Sequence, residues 1–257
     1  MKELPPYRVF WMPGCSSCLR TKEFLIEHGI VFESINVKEV PEALTELAEL
    51  GFRSVPVMAR GREGTYCQDL RDVAAFVGVA ISEPALTPAQ YVDKCQRVID
   101  AACRYARQLS SGQLKGSFPG RDRPYSDLVY HIFMVINAFL ESAQGGRLDY
   151  EWFERLTPEG VETGEQLAAL GRQVSTQLAA WWDAAGGVLP DRLDTYYGQR
   201  RSLNVLERTT WHAAHHCRQL EALVKQFGFV PDGPLGDAEL AGLPLPREVY
   251  DNEVSMS

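Results

Sequence analysis

Long apolar runs are missing from this chain: no stretch is apolar enough for long enough to span a bilayer. The opening residues, Met1-Lys2-Glu3-Leu4-Pro5-Pro6, lack the apolar core of a secretory signal. The expected compartment is the cytosol, with no membrane partner. A basic excess is missing as well. Lysine and arginine number 26 against 34 aspartates and glutamates, a formal net charge of −8. A non-specific nucleic-acid binder needs a basic surface to neutralise phosphates, so no nucleic-acid partner is expected. Arg200-Arg201 is one short candidate for a basic patch, and a solvated turn is its simpler reading. Closely spaced cysteines are scarce. Of the six, Cys15, Cys18, Cys67, Cys95, Cys103 and Cys217, only the first two are neighbours. In a reducing compartment such a pair reads as catalytic or metal-binding rather than as a structural staple. Internal repeats are absent too.

What is present is enough apolar material, 45% of 257 residues, for one large domain or two small ones. Two textures decide between them. Over residues 1–80, Tyr7 to Trp11 is aromatic and β-branched and predicts a strand. Residues 19–28 have helical spacing through Leu19, Phe24 and Leu25, with Gly29 as a stop. Residues 31–37 predict a second strand, and Pro41 opens a second helix through Leu44, Leu47 and Leu50 to Gly51. Residues 54–59 and 65–68 read as a hairpin around Gly61 and Gly64, and Asp69 can cap a helix over 70–77. The order β-α-β-α-β-β-α predicts an α/β layered domain.

Residues 80–87 form a linker containing Pro84, and a helical texture follows. Helices are predicted over 91–109, 125–142, 164–184 and 203–227; the second is apolar on most sides, and Gly186-Gly187 end the third. A polar loop spans 112–123, and a short turn or helix spans 150–156. Four long helices with little strand pattern predict an all-α four-helix bundle over 86–230. The tail, 231–257, is rich in Pro and Gly and is expected to wrap a surface or fray.

Cys15-Ser16-Ser17-Cys18 follows a strand and opens a helix. A thiolate there faces unpaired backbone N–H groups and the positive end of the helix dipole, which lowers the thiol pKa. Cys15 is the expected attacking thiolate. Cys18, one turn later, would resolve the mixed disulfide by attacking the Cys15 sulfur. A half zinc site would need a second cysteine pair, and none is spaced for it.

With these residues in hand, the first eighty residues resemble a glutaredoxin, over about a third of the chain. The run Cys15-x-x-Cys18-x-x-x-Lys22-x-x-Leu25 is similar to that family's signature, and Ser54-Val55-Pro56 to its Thr-Val-Pro segment. The resemblance implies a thioredoxin-like fold, a cis bond before Pro56, and a Val55 backbone that pairs with an extended thiol ligand. It also implies that Arg53 helps bind the glycyl carboxylate of glutathione and that Asp69 lies at the γ-glutamyl end. The chain departs from the family at Ser16-Ser17, which replace a Pro-aromatic pair, at Gly14, and at Gly64 with Cys67 nearby.

Histidine is scarce, at five residues, yet three fall in Trp211-His212-Ala213-Ala214-His215-His216. Residues four apart on a helix share a face, so His212 and His216 stack. Val205, Thr209, His212, His216, Leu220, Leu223 and Phe227 form the core-facing stripe. His215 groups instead with Asn204, Arg208 and Trp211 on the more polar side, pointing away from the core. His131 sits in the most apolar helix, where an unpaired imidazole is costly. A metal shared by His131, His212 and His216 would satisfy it; a set of hydrogen-bonded core histidines is the alternative. Three neutral imidazoles leave an open coordination position on zinc, nickel or iron(II), with zinc the first choice.

The second half resembles the DinB-like superfamily of four-helix proteins, which includes metal-dependent transferases using mycothiol, bacillithiol or glutathione. There a histidine on the second helix joins a His-x-x-x-His pair on the fourth; His131, His212 and His216 match one by one. The family often continues His-His-Arg-Gly-Gln, and here Cys217 replaces the arginine while Gln219 keeps its place. The two resemblances together imply an enzyme in which the metal holds a low-molecular-weight thiol, glutathione foremost, for attack on a small electrophile, and in which Cys15 and Cys18 reduce a mixed disulfide of that thiol or remove the thiol. A second expectation is a disulfide reductase whose helical half only binds a partner or a structural metal, with exposed cysteines such as Cys67 or Cys217 regulatory. A third is a sensor or delivery protein in which Cys15 and Cys18 pass on a soft metal. The electrophile and the oligomeric state are left open.

Overall fold

A computed structural model describes residues 5–118 and 123–250. The first four residues, part of the loop predicted over 112–123, and the last seven residues of the tail lie outside the described residues. The chain divides into two compact units. The first runs to Glu83 and takes back the segment from Pro246; the second is Pro84–Leu245. Among the described residues, no helix is long and apolar enough to cross a membrane.

The first unit has the predicted order: β1 (Tyr7–Trp11), α1 (Ser16–Glu27), β2 (Phe32–Asn36), α2 (Pro41–Glu49), β3 (Val57–Arg60), β4 (Glu63–Tyr66) and α3 (Leu70–Val77). The sheet order is β2-β1-β3-β4, with β1 parallel to β2 and antiparallel to β3. This is a thioredoxin-like arrangement. Strand alternation divides the core. Phe10, Val57 and Ala59 pack toward Ala43 and Leu47 of α2, while Val9 and Met58 pack toward Phe24, Leu25, Val73 and Ala74 of α1 and α3. Both faces are covered, which is why β1 and β3 read as continuous apolar runs. Each large side chain so buried stabilises the unit by about 1.5–3 kcal/mol. β1 is central, so its exit delivers Cys15 to the edge of this core.

The second unit contains α4 (Pro88–Arg107), a short α5 (Ser111–Leu114), α6 (Tyr125–Ala143), a 3-10 turn (Tyr150–Glu154), α7 (Gly164–Ala184), α8 (Ser202–Gln226) and a short α9 (Asp237–Leu240). α4 packs on α7 and α8, and α6 packs on the same two helices, so the four long helices enclose one core. Thr87 and Thr163 fix the starts of α4 and α7 by capping boxes with Gln90 and Gln166. Gly171 lets α7 approach closely: a β-carbon there would lie 2.5 Å from Cys103 Sγ and 2.6 Å from Phe133 Cζ.

One feature differs from the sequence expectation. A three-stranded sheet, β5 (Arg147–Leu148), β6 (Arg192–Thr195) and β7 (Gly198–Arg201), packs against α6 and α8. Its strands are too short and polar to stand out in the sequence; burial alternates along β6 through Leu193 and Thr195, and Leu148 is the buried residue of β5. Arg200 and Arg201 therefore lie in a strand rather than a solvated turn, and Arg200 is half-buried with its guanidinium 5.5 Å from the Tyr197 ring centre. The segment after Val230 runs along α4, where Arg104 donates to the Asp232 and Gly233 carbonyls and Lys94 to those of Ala238 and Glu239. Beyond Pro246 it belongs to the first unit, where the Glu23 carboxylate of α1 accepts the Arg247 and Glu248 backbone N–H groups at 2.9 and 3.1 Å.

Candidate functional sites

Cys15 caps α1, and its Sγ accepts the Cys18 backbone N–H at 3.2 Å. That N–H is one of the donors a thiolate at a helix start requires. Cys15 and Cys18 are joined by a disulfide, the oxidised end state of a dithiol. Cys15 is half-buried and Cys18 fully buried, which suits a reachable attacking sulfur and an internal resolving one. Lys22, 1% exposed, sets its ammonium 3.5 Å from the Trp11 ring centre, a cation–π contact against the end of β1.

The Val55–Pro56 bond is cis. Val55 packs in the same core cluster as Trp11 and Cys18, with Cys15 against it, so the cis-proline segment adjoins the cysteines. The Val55 carbonyl accepts from Gln68 Nε2 at 3.3 Å. Asp69 caps α3 by accepting the Arg71 N–H and also pairs with the Arg71 guanidinium at 2.8 Å, so its carboxylate has structural work in place. Arg53 is exposed, with its backbone N–H donating to the Tyr66 hydroxyl.

Cys67 and Cys217 are buried, at 2% and 1% exposure, which corrects the expectation that they are exposed regulatory thiols. Burial raises both thiol pKa values, and it pushes Cys95 up to about 12 and Cys103 up to about 11. All four are protonated and shielded at neutral pH.

In the second unit, His131 on α6 and His212 and His216 on α8 converge, with their ligand atoms within 4.8 Å of one another. Among the described residues this is the group of side chains placed so that they could hold a metal ion, and it does not include Cys15 or Cys18. His212 Nε2 and His216 Nε2 face each other at 3.0 Å, near the about 3.3 Å separating two nitrogens on one tetrahedral zinc. Nδ1 of His131 is buried without a hydrogen-bond partner, as are Nδ1 of His212 and of His215, so the cluster holds imidazole nitrogens that the protein itself leaves unsatisfied. These donors fit a divalent metal. His131 is half-buried while the other two are buried, so one edge of the cluster meets solvent.

The surroundings were only partly foreseen. His215 does not face a polar surface: it is fully buried, and Arg208 and Trp211 beside it are each 4% exposed. The reason is that α4, α6 and the small sheet together cover α8 from several sides. Gln219 links His215 and His216, its Oε1 accepting from His216 Nδ1 at 2.8 Å and its Nε2 lying 3.3 Å from His215 Nε2. Phe153 of the 3-10 turn stands 6.1 Å from His131 and 6.0 Å from His212, ring centre to ring centre, and the Arg208 guanidinium lies 5.3 Å from its centre. The spacings Arg208-x-x-x-His212 and His215-x-x-x-Gln219 carried the signal for these neighbours.

Burial holds His131, His212 and His215 well below the ordinary histidine range, and nearby His216 and arginines act in the same direction. The unfolded chain takes up these protons below about pH 6.5, whereas the folded one does so only at much lower pH. Stability from this source is complete above that value and is lost as pH falls below it. Thermal melts of metal-free protein at about pH 7.5 and about pH 5.5 should show a clearly lower midpoint in acid. A flat profile would mean that these rings are hydrated in solution.

The first unit is a thioredoxin-fold dithiol–disulfide module. Its sequence agrees: the glutaredoxin family pattern matches residues 8–62. The Glutaredoxin-like protein NrdH of Lactococcus lactis is 38% identical over 52 residues, which is 20% of this chain and 72% of that protein. The protein of the same name from Escherichia coli is 45% identical over 53 residues, 21% of this chain and 65% of the relative. Through its first unit, the chain belongs to the glutaredoxin family.

Proposed function

We propose that this chain couples glutaredoxin-type thiol–disulfide exchange to metal-dependent thiol chemistry in a DinB-like four-helix domain, acting on a small electrophile with glutathione or another low-molecular-weight thiol. The observation that carries the second half is the convergence of His131, His212 and His216 from two helices. A bound divalent metal, zinc foremost and nickel or iron(II) as alternatives, would supply an open position that favours the thiolate form of a thiol. His131, His212 and His216 would hold it, with the Phe153 ring about 6 Å from His131 and His212 as one wall. In the first unit, Cys15 thiolate attacks a substrate disulfide and releases one thiol. Cys18 thiolate then attacks Cys15 sulfur, releases the second thiol and leaves the Cys15–Cys18 disulfide. Two electrons pass from the dithiol to the substrate. Arg53, the Val55 backbone, Pro56 and Asp69 are the proposed thiol-binding surface. Such a dithiol is recharged in a reducing compartment, which supports the cytoplasm as its location.

The test is thiol consumption by metal-loaded and chelator-stripped protein with a panel of small electrophiles. Thiol-adduct formation that needs the loaded form is expected. Equal activity in the stripped protein would overturn the metal's part. A second reading has its own support: the 3.0 Å contact between His212 and His216 can be a hydrogen bond within a metal-free core. The helical unit would then be a binding or structural module beside a disulfide reductase, and the wild type would take up no metal.

A further inference from the structure

His216 uses both ring nitrogens, and they face different partners. Nε2 points at His212, whereas Nδ1 lies 2.8 Å from Gln219 Oε1. Gln219 in turn places Nε2 3.3 Å from Nε2 of His215. The carbonyl end of Gln219 can only accept, so Nδ1 of His216 carries the proton. The amide end can only donate, so Nε2 of His215 is the accepting nitrogen and its proton sits on Nδ1. The three side chains are 5%, 3% and 0% exposed in the order His216, Gln219, His215, so water does not compete for these bonds. The helix sets the spacing: Gln219 is three residues from His216 and four from His215, on adjoining strips of α8. With its proton committed to Gln219, His216 keeps a lone pair on Nε2. The 3.0 Å contact then requires the bridging proton of the metal-free state to sit on His212 Nε2.

We propose that Gln219, backed by His215, is a positioning residue that locks His216 in the Nδ1–H tautomer and aims its Nε2 lone pair at the metal position. This inference rests on the metal reading above and names the residues that prepare the site. The amide of Gln219 joins the two buried imidazoles, accepting from His216 Nδ1 and donating to His215 Nε2, so an apolar side chain at 219 removes the acceptor that holds the His216 N–H and frees the imidazole to turn.

The experiment uses the full chain as wild type, Gln219→Leu and Gln219→Glu, with folding checked by circular dichroism. Zinc affinity is read by chelator competition, and site geometry by the visible spectrum of the cobalt form. Gln219→Leu should weaken zinc binding by about 10–100-fold and change the cobalt spectrum. Gln219→Glu keeps an acceptor for His216 and should restore affinity to near wild type. In metal-free protein, proton–nitrogen NMR should place the His216 proton on Nδ1 in the wild type and lose that assignment in Gln219→Leu. A folded Gln219→Leu protein with unchanged zinc affinity and cobalt spectrum would overturn the proposal. So would a wild-type His216 protonated on Nε2. A wild type that binds no metal yet shows the Nδ1–H tautomer would support the Gln219 lock while overturning the metal reading alone.

Discussion

Cys15→Ser should lower disulfide reduction by the full chain at least about 10³-fold, because the attacking sulfur is then absent and no other thiol can replace it. Cys67, Cys95, Cys103 and Cys217 are buried with raised pKa values, and Cys18 itself is fully buried. Cys18→Ser should behave differently. Cys15 still attacks, but the mixed disulfide is no longer resolved from within, so it accumulates and turnover depends on added thiol. Mass spectrometry of the trapped adduct distinguishes the two variants. If Cys18→Ser were as inert as Cys15→Ser toward the first attack, the assignment of the two sulfurs would be wrong. The structural basis is the Cys18 N–H held 3.2 Å from Cys15 Sγ, a backbone donor that either variant leaves in place.

His131→Ala and His212→Ala should each reduce bound zinc from about one equivalent to a small fraction, an affinity loss of at least about 10²-fold. Two of three ligands cannot hold the ion against even a weak chelator. The variants sit on different helices, α6 and α8, so a common effect argues for one shared site rather than local disruption. Metal analysis of folded protein decides the question. Little metal in reconstituted wild type would return these residues to the core. Cys15→Ser should leave metal content unchanged, since Cys15 is not among the converging ligands.

How much of this was legible in the sequence differs between the units. The first was readable in its element order, with ends displaced by up to about three residues, because its signals are local: Asp69 caps α3, Gly78 ends it in the left-handed region, and the centres of β1 and β3 are unbroken apolar runs in a sheet covered on both faces. The cis bond before Pro56 came from family resemblance and not from periodicity. In the second unit, α7 was readable because Thr163 and Gln166 box its start. The burial of His215 was not. A helical wheel drawn for one core face assigns His215, Arg208 and Trp211 to the other side, yet α8 is enclosed by two helices and a sheet of four-residue and two-residue strands. Packing across several elements has no periodic trace in any one of them. The Gln219 link had a trace, two spacings of three and four, but such spacings are common on helices and gain meaning only when the side chains are buried together.

The bond pair at Glu23 changes the topology of the whole chain. Because one α1 carboxylate gathers the Arg247 and Glu248 amides, and Arg247 also reaches Glu27 at 3.0 Å, the redox unit is discontinuous in sequence and the helical unit is inserted into it, near its far end. Guest and host are therefore joined by two covalent strands, at Glu83–Pro84 and at Leu245–Pro246. A single nick in either strand would leave the two units connected. A redox fragment cut at residue 83 would expose Glu23, which is 8% accessible in the intact chain, and would strip its carboxylate of both amide partners.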